Sequence, residues 1–280
     1  MKSTKNIAIA ISGHAAVGST AFLALNKAWY SNYSKTSFHF FNDMGEWMQM
    51  DKAGHVWTSY QLARTSTSIW KWSGMNTTKS ILAGSISAFA FQSIIEMQDA
   101  YSVKWGYSLT DMMANILGIS TFALQELQWN EQRIQVKFQY SPYKYPDEFL
   151  ERKKQLFGSN LTEQILKDYN SQIYWMSINV HAFFPNSHIP KWFNLAIGYN
   201  ARIMLGGREN IWTNIKGQTI DASDQKRFRR YFLSMDIDLT KIQTKNKFLH
   251  NVLCTFNCVK LPFPAFELNS LGKIQFHLIQ

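Results

Sequence analysis

Between residues 50 and 130 long apolar runs are interrupted by polar pairs spaced i,i+3 or i,i+4, the repeat of an α-helix. The pattern predicts helices from about Met50 to Trp72, about Thr78 to Asp99, and from the Ser108 cap to about Trp129. Ser73-Gly74-Met75-Asn76 separates the first two. Ser108 with Asp111 three residues on is a variant of the capping box. An earlier apolar stretch, Ile7 to Leu25 behind Lys2 and Lys5, predicts a retained helix that touches or enters a membrane. After Glu131 the period changes to two. Arg133 to Tyr140 alternates polar and apolar residues without a break, as a strand with one apolar face does. Further strands are predicted over Ile173 to Phe184, Trp192 to Leu205, Arg230 to Thr240 and Lys273 to Ile279. Short helices are predicted from Asn160 to Tyr169 and from Lys245 to Cys258, and Gly206 to Arg229 reads as an excursion loop.

In the third strand Phe193, Leu195, Ile197, Tyr199, Ala201, Ile203 and Leu205 share one side. In the fourth, Tyr231, Leu233, Met235, Ile237 and Leu239 oppose Arg230, Ser234, Asp236, Asp238 and Thr240. Five strands are too few for a transmembrane barrel, so the expected fold is α+β. A helical bundle with a polar core occupies residues 1–130, and a mostly antiparallel β-sheet packed on helices occupies residues 131–280.

Composition narrows the partner. The 280 residues carry a net charge of +10 and 15% aromatic residues, ten of them Trp, a combination suited to an anionic membrane surface. No helix-turn-helix, zinc-finger or RNA-binding signature is present, so nucleic acid is not an expected partner. Cys254 and Cys258 read as two buried thiols, and no lipobox-like cysteine near the start supports a lipid anchor there.

The polar residues set into the helices are Asp51, Lys52 and His55, then Glu96 and Asp99, then Ser108, Asp111 and Asn115. Ionisable groups are costly in an apolar setting unless they meet one another, a metal or water. They are therefore expected to gather at one interior site, and three readings of it stand open. It locks the helices together as a structural polar core. It holds a divalent metal for a hydrolase, with Asp51, His55, Glu96, Asp99 and Asp111 as candidate catalytic or ligating residues and Glu96 or Asp99 as general base. Or it binds an envelope component, helped by Trp47, Trp57, Trp70, Trp72 and Trp105. Whether the chain is an enzyme is left undecided, and no cofactor beyond such a metal is implied. Lys226, Arg227, Arg229 and Arg230 form a compact cationic patch suited to anionic headgroups.

Asp51-Lys52-x-x-His55, Glu96-x-x-Asp99 and Ser108-x-x-Asp111-x-x-x-Asn115-x-x-Gly118 resemble the core signature of VanZ-like and YfiM-like envelope proteins. The run Phe38 to Asp43 through Trp47 and Asp51 resembles the larger YfiM-like proteins of Bacteroidetes. So do Phe157 to Asn160, Lys167 to Asn170 and Ser234 to Leu239. The resemblance implies a bacterial cell-envelope location, membrane-associated and with the outer membrane favoured, and a helical core carrying these polar residues. It implies contact with membrane lipid or an envelope protein complex, and supplies no reaction.

Overall fold

The computed structural model describes residues 4–30, 33–214 and 216–280; Lys2, together with Ser31 and Asn32, lies outside them. The chain divides into two compact units, Met1–Met44 with Lys52–Gln132, and Gly45–Asp51 with Arg133–Gln280. The architecture is α+β.

The first unit holds α1 (Thr4–Leu25), nearly all of α2 (Met50–Ser73), α3 (Thr77–Ala100) and α4 (Leu109–Trp129). Capping sets two of these starts. The Asn76 side chain accepts from the Lys79 amide, and the Ser108 side chain accepts from that of Asp111. Asn130, left-handed at φ 53°, ends α4.

Small residues let the helices approach closely. A Cβ on Gly84 would lie 2.6 Å from the Thr67 backbone nitrogen, and one on Gly118 would overlap Ser59 Oγ and the Val56 carbonyl. Gly118→Val should therefore destabilise the unit by about 1–3 kcal/mol through overpacking. A thermal melt in detergent checks this; an unchanged midpoint would mean that α4 does not rest on α2 at Gly118.

Many large apolar side chains of α3 and α4 point outward, while Ile81, Met112, Ile119 and Phe122 are buried. Along α3 the buried stripe is Ser80, Ile81, Gly84, Ala88, Gln92, Glu96 and Ala100, whereas Leu82, Ile86, Phe89, Ile94 and Met97 are exposed. Along α4, Met113, Ile116, Leu117, Leu124 and Leu127 are exposed while Asp111, Asn115 and Gln125 are buried. In α1 only Ala10 is buried. Helices α1 and α3 are long and apolar enough to cross a membrane.

The second unit contains β1 (Ile134–Tyr140), α5 (Leu150–Phe157), α6 (Leu161–Lys167), β2 (Gln172–Asn179) and the single turn α7 (Val180–Phe183). β3 (Phe193–Arg202), β4 (Ile211–Thr213), β5 (Thr219–Asp221), β6 (Phe228–Ile237), α8 (Lys247–Phe256), β7 (Ala265–Asn269) and β8 (Ile274–His277) follow. Six strands form one antiparallel sheet in the order β1-β2-β3-β6-β7-β8, and β4 and β5 make a separate hairpin inside the expected excursion loop. The free edge of β1 is also engaged. The Phe138 amide donates to the Cys258 carbonyl (2.9 Å) and the Lys260 amide to the Phe138 carbonyl (2.8 Å). That contact is a single parallel bridge, Phe138 with Val259, on the outer side of β1.

The alternation in β3 and β6 has its apolar side outward. Leu195, Ile197, Tyr231, Leu233 and Met235 are exposed, whereas Asn194, Asn200, Arg230, Ser234 and Asp236 are buried. The shared apolar side stops short of its predicted end. Ile203 takes a left-handed φ of 61° just beyond β3, and Leu205 is buried in a different cluster with Tyr145, Phe149, Phe157 and Ala222. Within the sheet Trp175, Phe232, Ile173, Ala196 and Ala265 form a small apolar core. Cations and carboxylates surround it. Lys137 Nζ sits 2.7 Å from Asp236, Arg230 Nη2 sits 2.6 Å from Glu267, and Lys260 Nζ lies over the Trp175 ring.

Gly45–Asp51 is tied to this second unit through a left-handed turn at Trp47, Met48 and Gln49, with φ values of 47°, 50° and 64°. Three consecutive L-residues in that region are strained. The turn is held by a hydrogen bond from the Trp47 amide to the Gly207 carbonyl, by Tyr199 on the Met48 carbonyl, and by Arg229 on Gln49.

Candidate functional site

The start of α2, the start of α4, the Asp43 loop and the end of α3 bring ionisable side chains together inside the helical unit. Lys52 Nζ lies 2.7 Å from Asp43 Oδ2 and 2.6 Å from Asp111 Oδ1. The Ser108 and Thr110 hydroxyls each donate to Asp43 Oδ1 at 2.7 Å. Ser108 thus serves twice, since its Oγ also accepts from the Asp111 amide as the cap of α4. One turn further along α2, His55 Nε2 is 3.6 Å from Asp111 Oδ1, and Nδ1 is 3.1 Å from Asn115 Oδ1 and 3.8 Å from Glu96 Oε1. Gln92 donates to the same Asn115 oxygen at 2.6 Å. That oxygen only accepts, so His55 donates from Nδ1. The Glu96 side chain is fully buried and that of Lys52 is 12% exposed.

Burial pushes the Asp43 carboxyl up, but the hydrogen bonds it shares with Asp111, Lys52, Ser108 and Thr110 prevail and hold it well below the ordinary carboxylate range. A depressed folded-state pKa contributes stability that is complete above the unfolded value near 3.8 and is lost as the pH falls below it. The helical unit should therefore keep this contribution from neutral pH down to about pH 4 and lose it in stronger acid. Asp43→Asn should flatten that acid limb in a pH series of melting temperatures, and an unaltered limb would show that Asp43 is not its source.

Each sequence candidate has its own partners. Lys52, His55, Glu96, Ser108, Asp111 and Asn115 meet in this cluster. Asp99, one turn beyond Glu96, accepts instead from the Tyr30 hydroxyl at 2.8 Å. Asp51 accepts from the Tyr169 hydroxyl at 2.9 Å and is grouped with the second unit. Asp43, Gln92 and Thr110 were not among the sequence candidates. Gln92 sits four residues before Glu96 and so shares its face, a signal that spacing alone carried.

The tryptophans do not form one cluster. Trp70 stacks on His14, Trp105 meets Tyr30 and Tyr33 edge-on, and Trp47 packs on Phe157 and Tyr169 in the second unit. A cleft of about 810 Å³ lies beside Trp105, lined by Phe22, Tyr30, Tyr33, Ile94, Met97 and Tyr101 among others. The cationic patch is split as well. Lys226 is exposed, Arg227 donates to the Gly207 carbonyl and Arg229 to Gln49. Arg230 departs from its expected headgroup role: it is 5% exposed and donates inward to Glu267 and Asn200. Alternation explains this, because Arg230 points to the opposite face from Arg229. Cys254 and Cys258 are half-buried rather than buried.

Chemically, the cluster carries its own cation: the Lys52 ammonium sits directly on Asp111 Oδ1. Residues 39–127 match the profile of a family described as predicted periplasmic lipoproteins (DUF2279). The matched stretch contains Asp43, Lys52, His55, Glu96 and Asp111, and it supports an envelope-associated protein. No curated protein and no solved structure matches the chain.

Proposed function

We propose that this chain is a membrane-associated protein of the bacterial cell envelope whose helical unit serves a structural or envelope-component-binding role; the YfiM-like and VanZ-like proteins it resembles imply the envelope location. One observation carries the reading. The unit buries its charges on Lys52 and presents Leu82, Ile86, Met113, Leu117 and Leu124 outward, the reverse of an arrangement fitted to water. Apolar side chains of this kind on α1, α3 and α4 suit acyl chains, and the excess of positive charge suits anionic headgroups. The family match to residues 39–127 supports the same compartment.

Hydrolysis draws no support from that match, and Lys52 supplies the cation that Asp43 and Asp111 face. The outer membrane is the proposed site. Density-gradient fractionation of cells should recover the protein with outer-membrane markers, resistant to alkaline carbonate extraction. Recovery in the soluble fraction would overturn membrane association. Recovery with inner-membrane markers would overturn the outer-membrane assignment alone.

A further inference from the structure

We infer that the outward face of the six-stranded sheet in the second unit beds against lipid acyl chains, which makes that unit a membrane-contacting element in its own right. The inference rests on the membrane association proposed above and extends it to a part of the chain that the family match does not reach. The register aligns apolar residues into continuous rows across the strands. One row runs Val136, Met176, Ile197, Leu233, Phe266 and Phe276. The next runs Phe138, Tyr174, Tyr199, Tyr231, Leu268 and Ile274, in which Tyr174 is buried and the Tyr199 hydroxyl donates to the Met48 carbonyl. Exposure is greatest from β3 onward, reaching 60% at Phe266 and 75% at Ile274.

The opposite face excludes the usual explanation for a two-sided sheet. It already holds a polar interior of ion pairs and hydrogen bonds. Ser177 and Lys137 meet on Asp236, Arg230 and His277 on Glu267, and Asn179 and Ser177 on Asn194. Polar inside with apolar outside is the arrangement of strands whose outer solvent is hydrocarbon. Such strands need their edges satisfied, and the Cys258–Lys260 segment supplies that for β1.

The ends of the strands carry interface residues. Lys191 and Trp192 are exposed at the entry to β3. At its far end Tyr199 pairs with Tyr231, and Ala201 with Arg229. Leu195, Ile197, Leu233 and Met235 lie between these two aromatic-cationic borders. Phe193 to Tyr199, which share the outer side of β3, is six residue steps, about 20 Å along the strand, against the roughly 25 Å apolar band of membrane barrels. β3 and β6 have 10 residues each, within the ~9–11 that a tilted membrane strand needs. A second copy of the chain is less suited to the face. It would cover one patch, whereas exposed apolar residues recur on β2, β3, β6, β7 and β8.

Lipid-quenching fluorescence tests the inference on the full chain. Cys254→Ser and Cys258→Ser remove the native thiols. Single cysteines are then placed by Ile197→Cys, Leu233→Cys or Phe266→Cys on the sheet, Ile86→Cys on α3, and Ser223→Cys as a water-exposed reference. Each variant is labelled with bimane and reconstituted into phosphatidylcholine–phosphatidylglycerol vesicles containing acyl-brominated lipid. Quenching at 197, 233 and 266 should exceed that at 223 several-fold. Quenching at 86 without quenching on the sheet overturns this inference and leaves the proposed function standing. Absence of quenching at all positions overturns both. Unquenched sheet positions that form intermolecular disulfides would assign the face to a second copy instead.

Discussion

Lys52→Met should lower the unfolding free energy of the helical unit by about 3–5 kcal/mol, the usual cost of leaving a buried charge without its partner. The size follows from geometry. One ammonium, 12% exposed, faces Asp43 at 2.7 Å and Asp111 at 2.6 Å. Its removal leaves two buried carboxylates facing each other around the hydroxyls of Ser108 and Thr110. The loss should appear as a fall in the detergent melting temperature. The triple variant Lys52→Met, Asp43→Asn, Asp111→Asn should regain most of it, because it removes the stranded charges as well. A site that bound a catalytic metal through Asp111 would behave in the opposite sense: Lys52→Met would free a ligand oxygen and strengthen metal binding, measurable by calorimetry with Zn²⁺ or Mn²⁺. A melting temperature that does not change in Lys52→Met would remove this role of Lys52.

The second large effect lies in the sheet. Asp236→Ala should cost about 3–5 kcal/mol by the same argument, since it strands the Lys137 ammonium at 0% exposure and removes the acceptor of the Ser177 hydroxyl. Leu233→Asn, three residues away on the same strand but on the outer face, should leave the detergent melting temperature within about 0.5 kcal/mol equivalent of the parent, as surface substitutions do. The contrast separates the two sides of one strand by experiment. If Leu233→Asn proved the more damaging of the two, the assignment of inside and outside would be reversed.

That assignment is what the sequence could not convey. Alternation in β6 shows that Tyr231, Leu233 and Met235 share a side and that Arg230, Ser234 and Asp236 share the other. It is silent on which side is inward, and the habit that apolar residues lie inside pointed the wrong way here. The helices were more legible because their ends carry local chemistry, as at Asn76, Ser108 and Asn130. Elements without such signals were missed. Ala265–Asn269 is a five-residue strand next to two prolines, α5 has no side-chain cap, and Val180–Phe183 turns within what alternation extends as a single strand. Of the cluster, Lys52, His55, Glu96, Asp111 and Asn115 could be gathered by helical spacing. Asp43 could not, because it comes from a loop whose path depends on tertiary contacts. Asp99 shares spacing with Glu96 yet turns to Tyr30, since a residue three positions on is already rotated toward a neighbouring surface.

The bond between Phe138 and Cys258 spans 120 positions of chain (258 minus 138). During synthesis β1 emerges early and must wait for almost the whole remaining polypeptide before its outer edge is met. Contacts so distant in sequence form late and slowly, and an open strand edge invites pairing with other chains meanwhile. Biogenesis of this protein therefore contains an interval in which a nascent, sticky ribbon has to be shielded, and truncation just before residue 258 should convert a foldable polypeptide into one that aggregates.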